Sequence, residues 1–232
     1  DNGETITATL TLNDVNAGVL TTSAGDTYTP GATTGVWTIT GTVADVNAAL
    51  AAMSFTPNTN YDLDTTITTH IEDQAGTGPI DGVITLDVTP ANDLPTATNL
   101  TSTAAYNEGD TSVAIDTIVI TDVDTGDTIT ATLTLNDVNA GVLTTSGTAT
   151  YDDATGVWTM TGTAANVNAA LAALTFTPNT NYDQNTFITT HIEDQAGTGP
   201  ADGVITLDVT PANDPPTATN LTSTAAYNEG DT

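Results

Sequence analysis

Three observations predict an all-β protein made of tandem β-sandwich modules, each with one short helix. Roughly a quarter of the 232 residues are Thr, far above ordinary usage. Thr, Val and Ile favour strands, while Lys and Arg are absent and Glu and Gln are scarce, so the usual helix formers are missing. Long stretches also alternate apolar residues with Thr, the period of a half-buried strand. The third observation is repetition. "TITATLTLNDVNAGVLTTS" occurs at Thr5 and again at Thr128, and "TTHIEDQAGTGP" at Thr68 and Thr189. The offset falls from 123 to 121 residues across "AGDTYTPGATT" and "GTATYDDAT", which marks a surface turn.

The complete module is read as residues 92–212. Residues 1–91 are a partial module without its first strands, and 213–232 are the start of a third. Within the complete module, "TSVAIDTIVIT" predicts one strand over 111–121, central in its sheet. "DTITATLTL" predicts the next, with Ile129, Ala131, Leu133 and Leu135 on one face and Thr on the other. "GVLTTSGTATY" and "VWTMTG" flank the turn "DDATG". In "AANVNAALAAL" the spacing of Val167, Leu171 and Leu174 changes to that of a short helix crossing one end of the sandwich. "LTFTP", "TFITTHIED" and "GVITLDVTP" complete the module. Seven or eight strands in about 120 residues suggest an immunoglobulin-like or cadherin-like sandwich. Trp37 and Trp158, one per module, read as core plugs, and His70 and His191 as surface residues opposite Ile71 and Ile192.

Charge narrows the partners. The formal net charge is −29, with two His as the only basic side chains. Nucleic acid and anionic membrane surfaces depend on Lys and Arg contacts, so both are poor partners. No run approaches the roughly 18 apolar residues of a membrane span. The chain opens on "DNGETITATL", with no basic leader segment, and Cys is absent. A catalyst is disfavoured as well. There is no Cys or Lys, no His stands beside a plausible Ser nucleophile, and the acidic residues recur once per module. The counter-charge must come from solution. Carboxylates and amide oxygens suit calcium, and the alternative is a generally acidic solvated surface.

"TPANDLP" and "TPANDPP" resemble the linkers of tandem cadherin-like modules in giant bacterial surface proteins and adhesins. So do "NEGD", "DVDTGD", the "VNAALAAL-FTPNTNY" pattern and "IEDQAG". The fuller linker of animal cadherins, Asp-x-Asn-Asp-Asn-x-Pro, is not matched throughout. Pro90 stands at its first Asp and its second Asn is missing. The resemblance covers essentially the whole chain. It implies an extracellular extender that holds a binding tip away from a cell, or a building block of matrix or filament. It also implies neighbouring repeats as the main partners.

Topology makes its own case for cation sites. With strand directions alternating, "DVDTGD" and "IEDQAG" fall at the amino-terminal pole of the module, and "NEGD", "NDVNAG" and "NTNYDQN" at the other. Carboxylates converging on a linker repel, and a hard cation with six to eight oxygen ligands would turn that repulsion into a clamp. The candidate calcium ligands at the first linker are Asn92 and Asp93. Asp122, Asp124 and Asp194 follow them, with Glu193 a weaker candidate, and Asp14, Asp62 or Asp64 precede them. The repeated set is Glu108, Asp137, Asp183, Asn213 and Asp214. The competing explanation is that Asp and Asn stand in these loops for turn geometry alone.

Two further alternatives stay open. One is an adhesive or carbohydrate-binding module. The other is head-to-tail strand donation, in which residues 213–232 complete the first module of another subunit. "NLT" at Asn99 and Asn220 matches an N-glycosylation acceptor, and the Thr faces could carry O-linked glycans.

Overall fold

The computed structural model describes residues 3–21, 25–124, 126–226 and 229. The chain divides into two compact units, Asp1–Asp93 with Val123–Gly126, and Leu94–Asp122 with Asp127–Thr232.

The first unit contains β1 (Ile6–Leu12), β2 (Gly18–Leu20), β3 (Asp26–Pro30), β4 (Gly35–Gly41), α1 (Val43–Ala52), β5 (Phe55–Pro57), β6 (Thr65–Asp73) and β7 (Gly82–Leu86). One antiparallel sheet has the order β3-β4-β1-β6-β7, and β2 pairs with β5 separately. The alternation in β1 buries Ala8, Leu10 and Leu12 against Trp37 and Ile39 of β4, with Val46 and Ala49 of α1 in the same core. Gly18 lets β2 close on β5: a Cβ there would stand 2.2 Å from the Thr56 carbonyl oxygen, at a φ of 156°. Thr42 caps α1 by accepting the Asp45 N–H at 3.3 Å, an N-cap typical of Thr.

The second unit contains β8 (Thr96–Thr98), β9 (Ser102–Asn107), β10 (Val113–Ala114), β11 (Val119–Thr121), β12 (Ile129–Leu135), β13 (Gly141–Leu143), β14 (Thr150–Asp152), β15 (Val157–Gly162), α2 (Ala164–Ala172), β16 (Thr175–Pro178), β17 (Thr186–Glu193) and β18 (Gly203–Thr210). Its main sheet runs β14-β15-β12-β17-β18-β9. All neighbours are antiparallel except the last, where β9 lies parallel to β18 from Ile205↔Ser102 to Thr210↔Asn107. Smaller sheets, β10-β16-β13 and β11-β8, complete the unit. Ile129, Ala131, Leu133, Trp158, Phe176, Ile188, Ile205 and Leu207 are fully buried in one core. Each large side chain among them contributes about 1.5–3 kcal/mol by leaving water.

The all-β class, the inward face of β12, both helices and the buried Trp pair agree with the expectations from sequence. His70 and His191 lie exposed, opposite inward-facing Ile71 and Ile192. The run 111–121 is corrected. It is not one central strand but two short ones, β10 at the edge of one sheet and β11 paired only with β8. Between them the chain leaves the ladder, and the Thr117 carbonyl is taken by the Asn99 amide at 2.8 Å. Val113, Ile118 and Ile120 are nevertheless core residues, as the apolar run suggested. The strand count is corrected too, since several predicted strands break into short segments. "GVLTTSGTATY" is one such, divided between β13 and β14 in different sheets.

α2 holds β11 by side chain rather than by ladder. Asn168 accepts the Ile120 N–H with Oδ1 at 2.8 Å and donates to the Ile120 carbonyl with Nδ2 at 2.8 Å. The amide thus replaces a neighbouring strand and leaves neither backbone group of Ile120 orphaned.

Candidate functional site

Asp62, Asp93 and Asp124, all half-buried, line a hollow of about 230 Å³ in the first unit. Asn60, Tyr61 and the segment Thr89–Pro90–Ala91 complete its wall. The Asp93 N–H donates to Asp124 Oδ2 at 2.7 Å, so backbone and carboxylate fix each other. Asn92 donates to the Asp93 carbonyl at 3.3 Å. The donors here are carboxylate, amide and carbonyl oxygens, the hard set that calcium prefers. Among the described residues, no three His, Asp or Glu side chains are grouped so as to hold a metal ion. The donor chemistry therefore fits calcium, while the carboxylates do not stand as a closed cluster.

The other predicted residues divide by task. Asp14 accepts the Asn16 N–H at 2.9 Å and the Asn16 amide at 3.0 Å on Oδ1, and the Tyr61 hydroxyl at 2.9 Å on Oδ2. Asp137 repeats this with Asn139 and Tyr182 at the same distances. The backbone bond from Asn139, then the Tyr182 hydroxyl, hold the Asp137 carboxyl below its ordinary value, and Asn16 and Tyr61 do the same for Asp14. Burial, then the adjacent Asp137 carboxylate, push Tyr182 up to about 12. These carboxylates brace "NDVNAG" against "NTNYD" within each unit. These bonds are of the kind the turn explanation expects.

Asp194 is 4 % exposed and accepts from Ala196 N at 2.8 Å, Thr198 N at 2.9 Å and Thr198 Oγ1 at 2.6 Å. Glu108 accepts the Ala212 N–H at 2.7 Å, and Asp64 accepts the Val88 N–H at 2.8 Å. Asp122 is half-buried. Asp183, Asn213 and Asp214 are exposed, with Asn213 donating to the Asp214 carbonyl at 3.4 Å.

Sequence reasoning missed Tyr61 and Tyr182 as partners of the loop carboxylates, although both copies carry "NTNYD" at the same place. It also missed what surrounds the His residues. His191 Nδ1 lies 2.7 Å from Asp202 and Nε2 lies 3.5 Å from Glu193, and His70 stands likewise between Asp81 and Glu72. The hydrogen bond to Asp202 raises His191 above its ordinary value near 6.5, and that to Asp81 raises His70. Of the acceptor-type Asn residues, Asn99 has its amide engaged with Thr117, as described above.

No family model matches the chain, and no curated protein matches it. Among solved structures, it is similar to human mucin-like protocadherin EC1-2, with 13 % identity and a TM-score of 0.43 over 84 % of this chain and 85 % of that one. It is similar to chicken VE-cadherin EC1-2, with 13 % identity and a TM-score of 0.37 over 90 % and 86 %. It is also similar to the C-terminal domain of the Streptococcus agalactiae AgI/II polypeptide BspA, with 11 % identity and a TM-score of 0.30 over 87 % and 84 %. Cadherin ectodomains and a bacterial polypeptide domain are thus among its structural neighbours. No described helix is long and apolar enough to cross a membrane.

Proposed function

We propose that this chain is a non-enzymatic spacer, a segment of a long extracellular repeat array such as an adhesin stalk or surface filament, stiffened by calcium. The observation that carries the reading is the hollow around Asp93. Three carboxylates line it in a chain with no Lys or Arg to neutralise them. Near-identical repeats suit a spacer, because each added copy extends reach without presenting a new surface. Binding would have to draw the carboxylates of Asp62, Asp93 and Asp124 closer together than they stand, with carbonyl oxygens of the 89–91 segment and water filling out the shell. Extracellular modules of this ligand type bind calcium with dissociation constants of about 10⁻⁴–10⁻³ M.

Titration calorimetry and small-angle scattering of the 232-residue chain, with calcium and then with chelator, test the proposal. Calcium should bind and narrow the spread of maximum dimension. Asp93→Ala should weaken binding about tenfold or more, a loss of at least ~1.4 kcal/mol, with both sandwiches still folded. Identical scattering in both conditions together with no binding heat would remove calcium from the account and leave the acidic loops as turn-formers.

A further inference from the structure

A second hollow, of about 320 Å³, lies in the second unit where the turn between β13 and β14 meets β15 and α2. That is the lower end of the size of small-molecule sites. The rim is the turn Ser146–Ala149, closed by the Ala149 N–H on the Ser146 carbonyl at 3.1 Å, with Gly147 supplying a φ of 61° at the bend. Met160 of β15 and Ala170 of α2 belong to the core and close the floor, and the exposed Ala169 lies beside them.

Three polar side chains line it, and none is strongly engaged. The Thr148 hydroxyl donates to the Met160 sulfur at 3.3 Å, and a thioether is a weak acceptor. The Ser146 hydroxyl reaches the Ala170 carbonyl only at 3.5 Å, the long limit of a hydrogen bond. The Asn166 side chain makes no hydrogen bond among the described residues; only its backbone N–H is bound, to Thr163. No lining residue is charged, in a chain with 29 acidic side chains. The two copies also differ most around this place. From Gly35–Asp62 to Gly156–Asp183 only five positions change: Ile39, Val43, Asp45, Met53 and Ser54 become Met160, Ala164, Asn166, Leu174 and Thr175. Met160 and Asn166 line the hollow, as do Gly147 and Thr148 of the loop in which the copies differ in length. In the first unit Asp45 stands at the place of Asn166, and its carboxylate accepts the Thr42 hydroxyl at 2.7 Å.

We propose that this hollow binds a neutral, hydroxyl-rich ring, the chemistry of a pyranose sugar. An anion is repelled by a chain of net charge −29, and a cation finds no carboxylate in the lining. A wholly apolar ligand would cover Ser146, Thr148 and Asn166 without bonding them. A pyranose suits both sides of the hollow. Its C–H face rests on Met160 and Ala169, and its hydroxyls replace the weak partners of Ser146 and Thr148. The Asn166 amide donates and accepts at once, as adjacent sugar hydroxyls require. With three polar groups and a half-open floor the site is weak, with a dissociation constant of about 1–10 mM. It needs no calcium, and it does not rest on the spacer reading.

The test titrates the 232-residue chain, in chelator, with glucose, galactose and mannose and with their methyl α- and β-glycosides, each to about 100 mM, while amide NMR spectra are recorded. The free hexoses stand for a soluble sugar and the methyl glycosides for the end of a glycan, so the two sources are read apart. At least one probe should move the amide signals of Gly147, Thr148, Asn166 and Ala169 along one saturating curve, with those of Asp45 and Ala48 in the first unit unmoved. Asn166→Asp installs the first unit's residue, removes the amide donor and adds a charge, and should weaken binding about tenfold or more. Met160→Ile, again the first unit's residue, should weaken it about threefold. Both replacements stand at the same place in the other copy, so the sandwich tolerates them. The proposal is overturned if no probe moves these signals, if the signals of both units move alike, or if Asn166→Asp binds as tightly as the original chain.

Discussion

The two units bring nearly the same sequence to two different packing states. Phe176 of the second unit is fully buried and meets Tyr106 edge to face at 5.8 Å, whereas Phe55, its counterpart, is only half-buried. Trp158 donates its indole N–H to the Thr144 carbonyl at 3.1 Å, but the buried indole N–H of Trp37 has no partner among the described groups. The differing residues are few, and most lie in surface loops. What separates the units is β8–β11, which in the second unit lay Ala104, Tyr106, Val113, Ile118 and Ile120 over one side of the core. The shared pattern buries the same face of β1 and β12 in both units, while burial on the side of Phe55 and Phe176 depends on which strands lie over it.

The largest expected difference between the units lies at the phenylalanines. Phe176→Ala should destabilise the second unit by about 3–5 kcal/mol, as large core truncations do. Phe55→Ala should cost the first unit less than half of that. Equilibrium denaturation followed by the two tryptophans, fitted with two transitions, gives both values. Equal losses would break the comparison.

Next comes the helix amide. Asn168→Ala removes both bonds to Ile120 and leaves a part-buried N–H and carbonyl unpaired, so about 1–3 kcal/mol should be lost from the second unit. Asn47, its exposed counterpart in α1, should change stability by less than about 0.5 kcal/mol when replaced by Ala. The same denaturation curves report both.

A smaller effect should run the other way. In the second unit Asn185 accepts the Val209 N–H at 2.9 Å and donates to Asp208 at 2.7 Å. The first unit has Asp64 at that place, accepting from Val88 N, with Asp87 as the counterpart of Asp208. Asp64→Asn keeps the acceptor and adds a donor, and should raise the first unit's stability by about 0.5–1 kcal/mol. An unchanged midpoint would show that Asp87 gains no bond from the new amide.

The pH response should be smallest and shared by both units. His70 and His191 titrate above their ordinary 6.5, so their contribution is full below that value and fades as pH rises through the folded values. Asp14, Asp73, Asp137 and Asp152 titrate below 3.8, so theirs is present above that value and fades as pH falls through the folded values. Thermal midpoints should therefore be highest between these two windows, and a midpoint still rising above pH 8 would contradict the His assignment.

Much of this architecture is legible in the residues. The Thr alternation of 128–135 specifies a strand and its inward face, and Val167 with Leu171 specifies the helix, because each rests on a period that local geometry imposes. The break inside 111–121 is not legible, since a run of Val and Ile carries no period that separates one strand from two. The bond found at the break, Asn99 to the Thr117 carbonyl, comes from 18 residues away. The parallel seat of β9 is equally silent, being a long-range pairing. At the candidate site, sequence located the acidic loops but could not rank them. Asp137, which braces a turn, and Asp93, which lines a hollow, are the same residue type in similar Asn-Asp settings.

The duplicated covering strand has a kinetic consequence. While the second unit folds, the β18 edge cannot distinguish Ser102–Asn107 from Ser223–Asn228 by sequence. The downstream rival is joined to β18 by only 12 residues, 211–222, about the minimum for a parallel return. The native strand must instead close a loop of roughly a hundred residues, which costs more chain entropy and is slower. Local closure thus favours the wrong partner early, and only β8, β10 and β11, which accompany the native strand into the core, make that choice reversible. Near-identical repeats carry this hazard wherever an edge is filled from far upstream: each new copy adds length to the array and also a nearby competitor for the same seat.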